Sequence, residues 1–354
     1  MRDKRQKEFA ERFLETTESG ILYLCPRFGK CRVAINIFKA FKKPNILIAY
    51  PDVNIKKSWV DEMGKTKYKN PNITYTSFAS LKKQAGKSYD LIVIDEIHLL
   101  SEAQIATVQG FKDRVLGLTG TMSKLTEDTL VKSLKLKVLA RYPISQAILE
   151  GVVCDYEINI VTCSLDNEDF NDYKGKNRTE KGQFNAYGKV IEKLEKEHRE
   201  TFFLRLARMR LIQKSIAKVK LTKKLLRRFA SERVLIFCGL IETTEKLGCP
   251  VFHSKSTEDT LADFSSGKGD HLAVVKLGNT GTTYKALDKV IINYFDSNPE
   301  NLAQKINRCM SMEYGNPEKK ANIWIVCSNE QVEIKWLKKA LEFFESTKIK
   351  YHES

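Results

Sequence analysis

The chain has 354 residues, enough for about two domains of ordinary size that each bury a core. Hydrophobic residues make up 42% and charged residues 29%, a balance that excludes a disordered or fibrous protein. The formal net charge is +16, and such a surplus of Lys and Arg attracts polyanions. We expect nucleic acid as the first partner, ahead of an anionic membrane or an acidic protein.

The N-terminal segment and the cysteines indicate a protein of the cell interior. Residues 1–13 are charged and helix-like, unlike the apolar core of a signal peptide, and no run of about 18 apolar residues occurs. The eight cysteines lack a C-x-x-C pair and metal-ligand spacing, so we interpret them as free thiols in a reducing compartment. We expect a cytoplasmic location without membrane attachment.

Short apolar runs alternate with amphipathic stretches from residue 21 to about residue 150. Runs of this length are typical of buried parallel strands in an α/β sheet. Such sheets bind ligands in the crevice beyond the carboxyl ends of their strands. The predicted strands are 21–25, 45–50, 73–78, 91–96 and 115–121.

The second half repeats this pattern after a charge-rich stretch. Residues 165–228 are dense in Lys, Arg and Glu, and their apolar positions approximate a helical stripe, which predicts a helical connector. A closing amphipathic helix is predicted over 331–348. We therefore predict an α/β fold with two domains, 1–150 and 151–354, and place the connector in the second. The strands predicted there are 233–239, 249–254, 271–278, 289–296 and 321–328.

Residues 25–31, CPRFGKC, are a candidate phosphate loop. A phosphate loop wraps backbone N–H groups around phosphate oxygens at a helix N-terminus, and a Lys reaches the outer phosphates. Gly29 and Lys30 have that arrangement between a predicted strand and a predicted helix. Leu24 stands at the first Gly position of G-x-x-x-x-G-K-[ST] and Cys31 at the hydroxyl position, so the alternative is a strand-to-helix turn with a solvated Lys.

Asp95-Glu96-Ile97-His98 follows the apolar run LIVI. A carboxylate at the end of a buried strand can hold a Mg²⁺ ion that bridges nucleotide phosphates, and the next one can orient or deprotonate water. The alternative for an isolated Asp-Glu pair is a helix cap. Its position downstream of Lys30 in the same α/β series favours the catalytic interpretation.

The order of these motifs resembles the superfamily-two helicases, particularly phage and bacterial members with DEAH-like boxes that unwind or branch-migrate DNA. The similarity runs from Gln6 to about Trp336. It implies two tandem RecA-like domains, ATP and Mg²⁺ as cofactors, and ATP hydrolysis coupled to movement on nucleic acid. For a phage protein the location would be the host cytoplasm.

The resemblance also assigns residues to roles. It implies that Gln6 reads adenine, that Asp95 holds Mg²⁺, and that Arg308 reaches across the cleft to stabilise charge on the γ-phosphate. The implied catalytic residues are Lys30, Asp95, Glu96, His98, Gln304 and Arg308. The implied nucleotide contacts are Gln6, Arg27, Phe28, Gly29, Lys30, Cys31 and Gly281. The implied nucleic-acid contacts are Pro51, Lys56, Thr76, Ser77, Thr119, Thr121, His253, Asn279 and Thr280.

The chain departs from the family pattern at several of these positions. Cys31 replaces the Ser or Thr that would bind Mg²⁺, and a thiol is a soft ligand for that hard cation. Lys305 and Ser311 stand where the sixth motif has arginines, and Thr283 stands where many members have an acidic residue. These departures predict slow hydrolysis.

Three functions stay open at this point. The first is a DNA helicase or translocase of replication, recombination or repair, and the second is an RNA helicase, because the core motifs grip backbone rather than bases. The third is a nucleotide-gated binding module or loading factor without motor activity. Residues 189–229 are either an accessory nucleic-acid grip or a solvated helical face. For Trp59, Trp324 and Trp336, packing is favoured over strand separation.

Overall fold

The computed structural model describes residues 1–166, 170–173, 176–275, 284–313, 316 and 318–352. The chain divides into two compact units, one built on Met1–Cys154 and the other on the chain from Asp155 onward. Each has a parallel sheet with flanking helices, so the predicted α/β class is confirmed. Within the described residues, no helix is both long and apolar enough to cross a bilayer.

The first unit alternates strands and helices along the chain. Its α-helices are α1 (Arg2–Leu14), α2 (Lys30–Phe38), α3 (Val53–Thr66), α4 (Glu102–Gln109), α5 (Lys124–Leu134) and α6 (Ile144–Leu149). Its strands are β1 (Gly20–Leu24), β2 (Ile46–Tyr50), β3 (Ile73–Ser77), β4 (Leu91–Asp95), β5 (Val115–Thr119) and β6 (Lys137–Tyr142). Short 3₁₀ helices cover Phe78–Gln84 and Ile97–Leu99.

These six strands form a parallel sheet in the order β3-β2-β4-β5-β1-β6. Strands β2, β4 and β5 are buried along their whole length, because helices cover both faces of a parallel sheet. The five strands predicted for this half are confirmed to within two residues at each end. The sixth, β6, lacks a continuous apolar run and was not predicted.

The second unit begins with a long strand, a hairpin and three helices. Its strands are β7 (Asp155–Cys163), β8 (Phe170–Tyr173), β9 (Lys176–Thr179), β10 (Val234–Cys238), β11 (Val251–Phe252), β12 (His271–Val275), β13 (Lys289–Ile292), β14 (Lys320–Ser328) and β15 (Ile349–His352). Its α-helices are α7 (Glu180–Lys196), α8 (Phe202–Gln213), α9 (Ile216–Arg228), α10 (Ile241–Glu245), α11 (Glu258–Ser266), α12 (Pro299–Ile306) and α13 (Gln331–Ala340), and a 3₁₀ helix covers Ser346–Lys348.

In the described residues the main sheet of this unit has the order β11-β12-β10-β13-β14-β7-β15, and every pairing is parallel. The predicted strands of the second half all form. Strands β7 and β15 were missed because their apolar residues are interleaved with polar ones, as in Asp155–Cys163. Tertiary pairing with β14 makes them strands.

The helical connector predicted over 165–228 is correct for α7, α8 and α9 and wrong for its first part, where β8 and β9 pair as an antiparallel hairpin. The closing helix is also shorter than predicted. It ends at Ala340, and the chain then turns into β15, which pairs with β7. Local charge and apolar spacing do not signal either pairing, because each strand is stabilised by its partner.

Candidate nucleotide-binding site

The carboxyl ends of β1, β5 and β4 lie side by side at one edge of the first sheet. Tyr23 of β1 pairs with Thr119 of β5, and Asp95 of β4 pairs with Leu118 of β5. Since the strands are parallel, the three segments that follow them start at the same edge. This topology brings together the phosphate-loop segment, the Asp95–His98 box and the Thr119–Thr121 turn.

The phosphate-loop segment ends at the N-terminus of α2. Gly29 is the residue before the helix and has φ 95°, a left-handed conformation, and a Cβ there would lie 2.5 Å from Nε2 of Gln6. No side chain caps the helix and its first turn contains no acidic residue. The N–H groups of that turn therefore have the arrangement that binds anions.

Two residues of the site that are not glycine also have left-handed backbones. Arg27 has φ 66° and Glu96 has φ 54°. Such conformations cost about 1–3 kcal/mol each and persist only where surrounding contacts hold them. Surrounding contacts therefore hold both turns of the site, the phosphate loop and the turn directly after β4, in a fixed backbone conformation.

Phe28 anchors the phosphate loop to the core. Its fully buried ring contacts Phe9 and Tyr142 at centroid distances of 5.5 Å and 4.8 Å. The implied role of Phe28 in binding nucleotide therefore needs correction for its side chain, which packs inside the unit. Only its backbone is placed for a role in the loop.

Gln6 on α1 is held against this loop. Its Nε2 donates a 2.7 Å hydrogen bond to the Phe28 carbonyl, and the side chain is buried. Its Oε1 is also buried and accepts no hydrogen bond from any described residue. A buried amide oxygen without a donor is an unsatisfied acceptor, and the exocyclic amine of adenine could supply that donor.

Lys30 and Glu96 form the central ion pair of the site. Lys30 Nζ donates to Glu96 Oε1 at 2.5 Å, and both side chains are mostly buried. Gly120 leaves room for them, because a Cβ at that position would lie 3.1 Å from Lys30 Nζ and 3.1 Å from Pro26 Cγ. The segments that follow β1, β4 and β5 therefore meet at the Lys30 ammonium group.

Asp95 is held by a tryptophan from α3. Trp59 Nε1 donates a buried 2.9 Å hydrogen bond to Asp95 Oδ2, and the Glu96 N–H donates to Asp95 Oδ1 at 3.1 Å. The Trp59 ring is fully buried and stacks on Phe38, with centroids 6.1 Å apart. The packing predicted for Trp59 is confirmed, and the tryptophan additionally orients the carboxylate.

Burial and charge set the protonation of these three groups. Burial and repulsion from Glu96 raise the pKa of Asp95 to about 6, against the opposing effects of Lys30 and Trp59. Burial would also raise the pKa of Glu96, but the attraction of Lys30 and His98 outweighs it and lowers that pKa. Burial would lower the pKa of Lys30, but both carboxylates raise it. At neutral pH the site has one cation and two carboxylates that are mainly ionised.

Cys31, the first residue of α2 after Lys30, faces this charged group. Burial, followed by the nearby Asp95 carboxylate, keeps the pKa of the Cys31 thiol well above its usual value. The thiol is therefore protonated at neutral pH. A neutral thiol is a poor ligand for Mg²⁺, so the geometry agrees with the weakness expected from the sequence at this position.

The residues present fit a magnesium nucleotide with one protein carboxylate on the metal. Mg²⁺ is usually held by one or two carboxylates together with phosphates and water, so a dedicated protein cage is not required. Among the described residues, no group of three or more His, Cys, Asp or Glu side chains could hold a metal ion by itself. Asp95 is then the residue placed to hold Mg²⁺, and Lys30 and the α2 N-terminus are placed for phosphates.

A hydrogen-bonded chain leads from the Asp95–His98 box to the turn after β5. Thr119 Oγ1 donates to the Thr121 carbonyl at 2.7 Å and lies 2.8 Å from His98 Nδ1. Because the hydroxyl proton is used on Thr121, His98 Nδ1 must be the donor in its bond to Thr119. The same nitrogen lies 3.5 Å from Glu96 Oε2.

Several positions assigned to nucleic-acid contact lie inside the first unit. Thr76, Thr119 and Thr121 are buried, and the Thr119 hydroxyl is bonded as described above. Their hydroxyls therefore act within the unit in this structure, since surface contact with a polymer needs exposed groups. Pro51 and Ser77 are half-buried at the ends of β2 and β3, and Lys56 is exposed on α3 with its ammonium 5.4 Å from the Tyr75 ring.

The second unit contains the remaining assigned residues. Gln304 is half-buried on α12, and Arg308 lies in the turn after it, where burial lowers its pKa. His253 follows β11, and its Nδ1 accepts a 3.1 Å hydrogen bond from the Lys255 N–H. Asn279, Thr280 and Gly281 lie outside the described residues. Lys305 bonds the Tyr294 carbonyl at 2.8 Å, and burial lowers its pKa to about 8.

Comparison with known proteins finds similarity to helicases. Residues 217–313 match the helicase conserved C-terminal domain. The chain is 22% identical over 247 residues to the DNA 3'-5' translocase XPB2 of Sulfurisphaera tokodaii. That alignment covers 62% of this chain and 56% of the relative, so the chain spans just over half of the relative's length.

Solved helicase and restriction-enzyme structures share the fold. A variant of S. cerevisiae Dbp5 bound to RNA and ADP BeF3 has a TM-score of 0.64 at 11% identity, covering 99% of this chain and 89% of that chain. A fragment of a putative HsdR subunit of a type I restriction enzyme from Vibrio vulnificus has a TM-score of 0.62 at 14% identity, covering 97% and 66%. The fold is that of tandem RecA-like domains.

These similarities support a superfamily-two helicase. The domain match runs from α9 past the turn that contains Arg308, and so falls on the second unit. The phosphate-loop segment and the Asp95–His98 box lie in the first unit, where the geometry described above supports a nucleotide site independently of that match.

Sequence reasoning missed the contact of Trp59 with Asp95. The two residues are 36 positions apart, and no motif joins them. The contact exists because α3 packs against the sheet face where β4 ends, which places the indole N–H at the carboxylate. A tryptophan in an otherwise amphipathic helix after the predicted nucleic-acid contact at Pro51 was the available signal, and it indicated packing alone.

Proposed function

We propose that this protein is an ATP-dependent translocase or helicase that acts on DNA in replication, recombination or repair, and that it belongs to the phage and bacterial DEAH-like group it resembles. The observation that carries the proposal is the ion pair of Lys30 with Glu96, beside Asp95 and at the N-terminus of α2. These groups are the minimum set that hydrolysis of a nucleoside triphosphate needs: a phosphate ligand, a metal ligand and a residue for the attacking water.

The same ion pair suggests how nucleotide binding activates the site. Lys30 is bonded to Glu96, so its ammonium must exchange this partner for phosphate oxygens when a nucleotide binds. Glu96 is then released to orient or deprotonate water, and its lowered pKa keeps it in the basic form. Mg²⁺, held by Asp95, would supply charge neutralisation on the phosphates when bound.

Other residues have supporting roles in this proposal. The Gln6 Oε1 acceptor gives a preference for adenine, and Arg308 of the second unit stabilises charge on the γ-phosphate. The chain from Glu96 through His98 to Thr119 and Thr121 transmits the state of the nucleotide to the turn after β5. A cytoplasmic location, in the host for a phage protein, is part of the same proposal.

DNA is proposed as the polymer because the relative described above, which is 22% identical over 247 residues, is named as a DNA translocase. The net charge of +16 favours binding through backbone phosphates, which either polymer offers. RNA is the second candidate, because the Dbp5 structures with the same fold contain RNA.

A different class of function is favoured by one observation. Cys31 is a neutral thiol where the family has a hydroxyl for Mg²⁺, which favours a nucleotide-gated binding module or loading factor with weak hydrolysis. We rank it below the motor, because Lys30, Asp95 and Glu96 are all present and assembled.

The proposal is tested by steady-state ATP hydrolysis in the presence and absence of single-stranded, duplex, forked and four-way DNA, and of RNA. We expect stimulation by at least one polymer, and the most effective one identifies the substrate. Glu96→Gln should retain nucleotide binding and stop turnover. Hydrolysis that no polymer stimulates would refute the motor, and unchanged hydrolysis by Glu96→Gln would show that the site is elsewhere.

A further inference from the structure

The start of α8 exposes two neighbouring phenylalanines. Phe202 is 60% exposed and Phe203 is 75% exposed, although water solvates both rings poorly. Their rings contact each other in a T-shaped arrangement with centroids 5.4 Å apart. Among the described residues, no other two large exposed hydrophobic side chains are adjacent in the sequence, so this aromatic pair is a distinct surface feature.

Only the C-terminal turn of α8 is buried by packing within the second unit. The buried residues of α8 are Leu211, Ile212 and Gln213, in its last turn. Leu211 and Ile212 join a small core cluster with Phe184. The first turn of α8, which contains the aromatic pair, contributes to no such cluster in the described part of the chain.

The chain that follows the aromatic pair is strongly basic, whereas the residues directly before it include Glu195, Glu197 and Glu200. Residues 201–231 contain ten Lys or Arg and no Asp or Glu. Arg205, Arg210 and Lys214 are exposed along or directly after α8, and Arg205 is bonded to Glu195 at 2.6 Å. A partner of this surface is therefore expected to be anionic.

The exposed apolar area is small for a protein partner. Two phenylalanines bury on the order of 300–500 Å², whereas a stable protein interface needs about 800 Å² from each partner. Nucleic-acid bases fit the pair better, because each base has an aromatic face that stacks on such rings whatever its identity, and its phosphate neutralises adjacent cations.

We propose that Phe202 and Phe203 form a stacking platform for the bases of single-stranded nucleic acid, next to arginines of α8 that bind the adjoining phosphates. The inference rests on the proposed function, since both require that the protein binds a polymer. It extends that function by giving the second unit a base-contacting surface outside the helicase motifs, specific for unpaired strands because bases within a duplex present no free face.

The test compares equilibrium binding of fluorescently labelled oligo-dT, oligo-U and blunt duplex DNA by wild type and Phe202→Ala/Phe203→Ala. We expect the Kd for single strands to rise about ten-fold or more, since stacking contributes about 1–3 kcal/mol per base. The Kd for duplex should be unchanged. Both residues are exposed, so the double variant should fold normally, and Leu149→Ala, at an 87% exposed position of α6, is the matched control.

Salt dependence separates stacking from charge. Stacking releases no counterions, so the slope of log K against log salt should be the same for the double variant and wild type. Arg210→Ala should instead lower that slope by about 0.7–1 through loss of one phosphate contact. Phe203→Trp should retain binding, and its indole emission should be quenched when single strands are added.

The possible outcomes distinguish failure of the stacking platform from failure of the proposed function. Failure of the wild type to bind any polymer would refute the proposed function itself. Normal binding by the wild type with an unchanged single-strand Kd in the double variant would overturn the platform alone and assign the pair to a protein partner or to contacts within the chain. An equal loss on duplex and single strands would also overturn it.

Discussion

The hydrogen bond from Trp59 to Asp95 makes a sharp prediction about pH and stability. Trp59→Phe keeps an aromatic ring against Phe38 but removes the N–H that Asp95 Oδ2 accepts at 2.9 Å. A hydrogen bond to a charged group contributes about 1.5–3 kcal/mol. The smaller ring also leaves a cavity, which costs on the order of 1 kcal/mol at any pH.

The contribution of the hydrogen bond depends on the ionisation of Asp95. The Trp59 N–H lowers the pKa of Asp95 against the larger opposing effect of burial, which leaves that pKa at about 6. Losing this stabilisation of the carboxylate would raise the pKa of Asp95 further. Above the pKa values of Asp95 in both wild type and variant, the carboxylate is ionised and the variant loses the full stabilisation by the hydrogen bond. Well below both values Asp95 is neutral in either protein and the charged-state loss vanishes.

Trp59→Phe should therefore destabilise the first unit by about 1.5–3 kcal/mol more at pH 8 than at pH 5. Hydrogen exchange of the β4 amides at increasing urea measures this unit alone. Phe38→Leu is the matched control, because Phe38 is fully buried in the first unit and stacks on Trp59 but has no hydrogen-bonding group. Its destabilisation should not change between the two pH values. A pH-independent effect of Trp59→Phe would refute the role assigned to this hydrogen bond.

Two further predictions concern the metal position and the buried ion pair of the second unit. Cys31→Thr should increase steady-state ATP hydrolysis because a hydroxyl suits Mg²⁺, whereas Cys31→Ala should not; a lack of hydrolysis in all three proteins would favour the binding module. Lys218→Met should destabilise the second unit by about 3–5 kcal/mol in urea unfolding, because it leaves Glu333 charged and fully buried without its 2.5 Å partner. Adding Glu333→Gln should recover most of that loss, and failure to recover it would show that the cost is one of packing.

The described structure also shows why the charge-rich connector was hard to interpret from the sequence. Lys218 belongs to the basic run of α9, yet its side chain is fully buried and bonded to Glu333 of α13. Phe202 and Phe203 look like core residues of an amphipathic helix, yet they are exposed. Helical spacing predicts which residues share a face, but not which face another element covers.

The α/β class, most of the strands and the segments that form the site could all be predicted from the amino-acid sequence. Continuous apolar runs are sufficient for this, because strands buried on both faces of a parallel sheet must be apolar throughout, and chemical motifs follow their carboxyl ends. Lys30, Asp95 and Glu96 could be singled out for that reason, and the order of motifs then indicated a resemblance to superfamily-two helicases.

The way in which those segments meet depends on tertiary packing and could not be predicted from the sequence. The strand order places the ends of β1, β5 and β4 together, so Lys30 bonds Glu96 across 66 positions and Trp59 bonds Asp95 across 36. The pairing of β7, β8, β9 and β15, the burial of Thr119 and the exposure of Phe203 also depend on which element packs against which. Local patterns describe each segment alone, whereas hydrogen bonds and burial between distant segments depend on the packing of the whole unit.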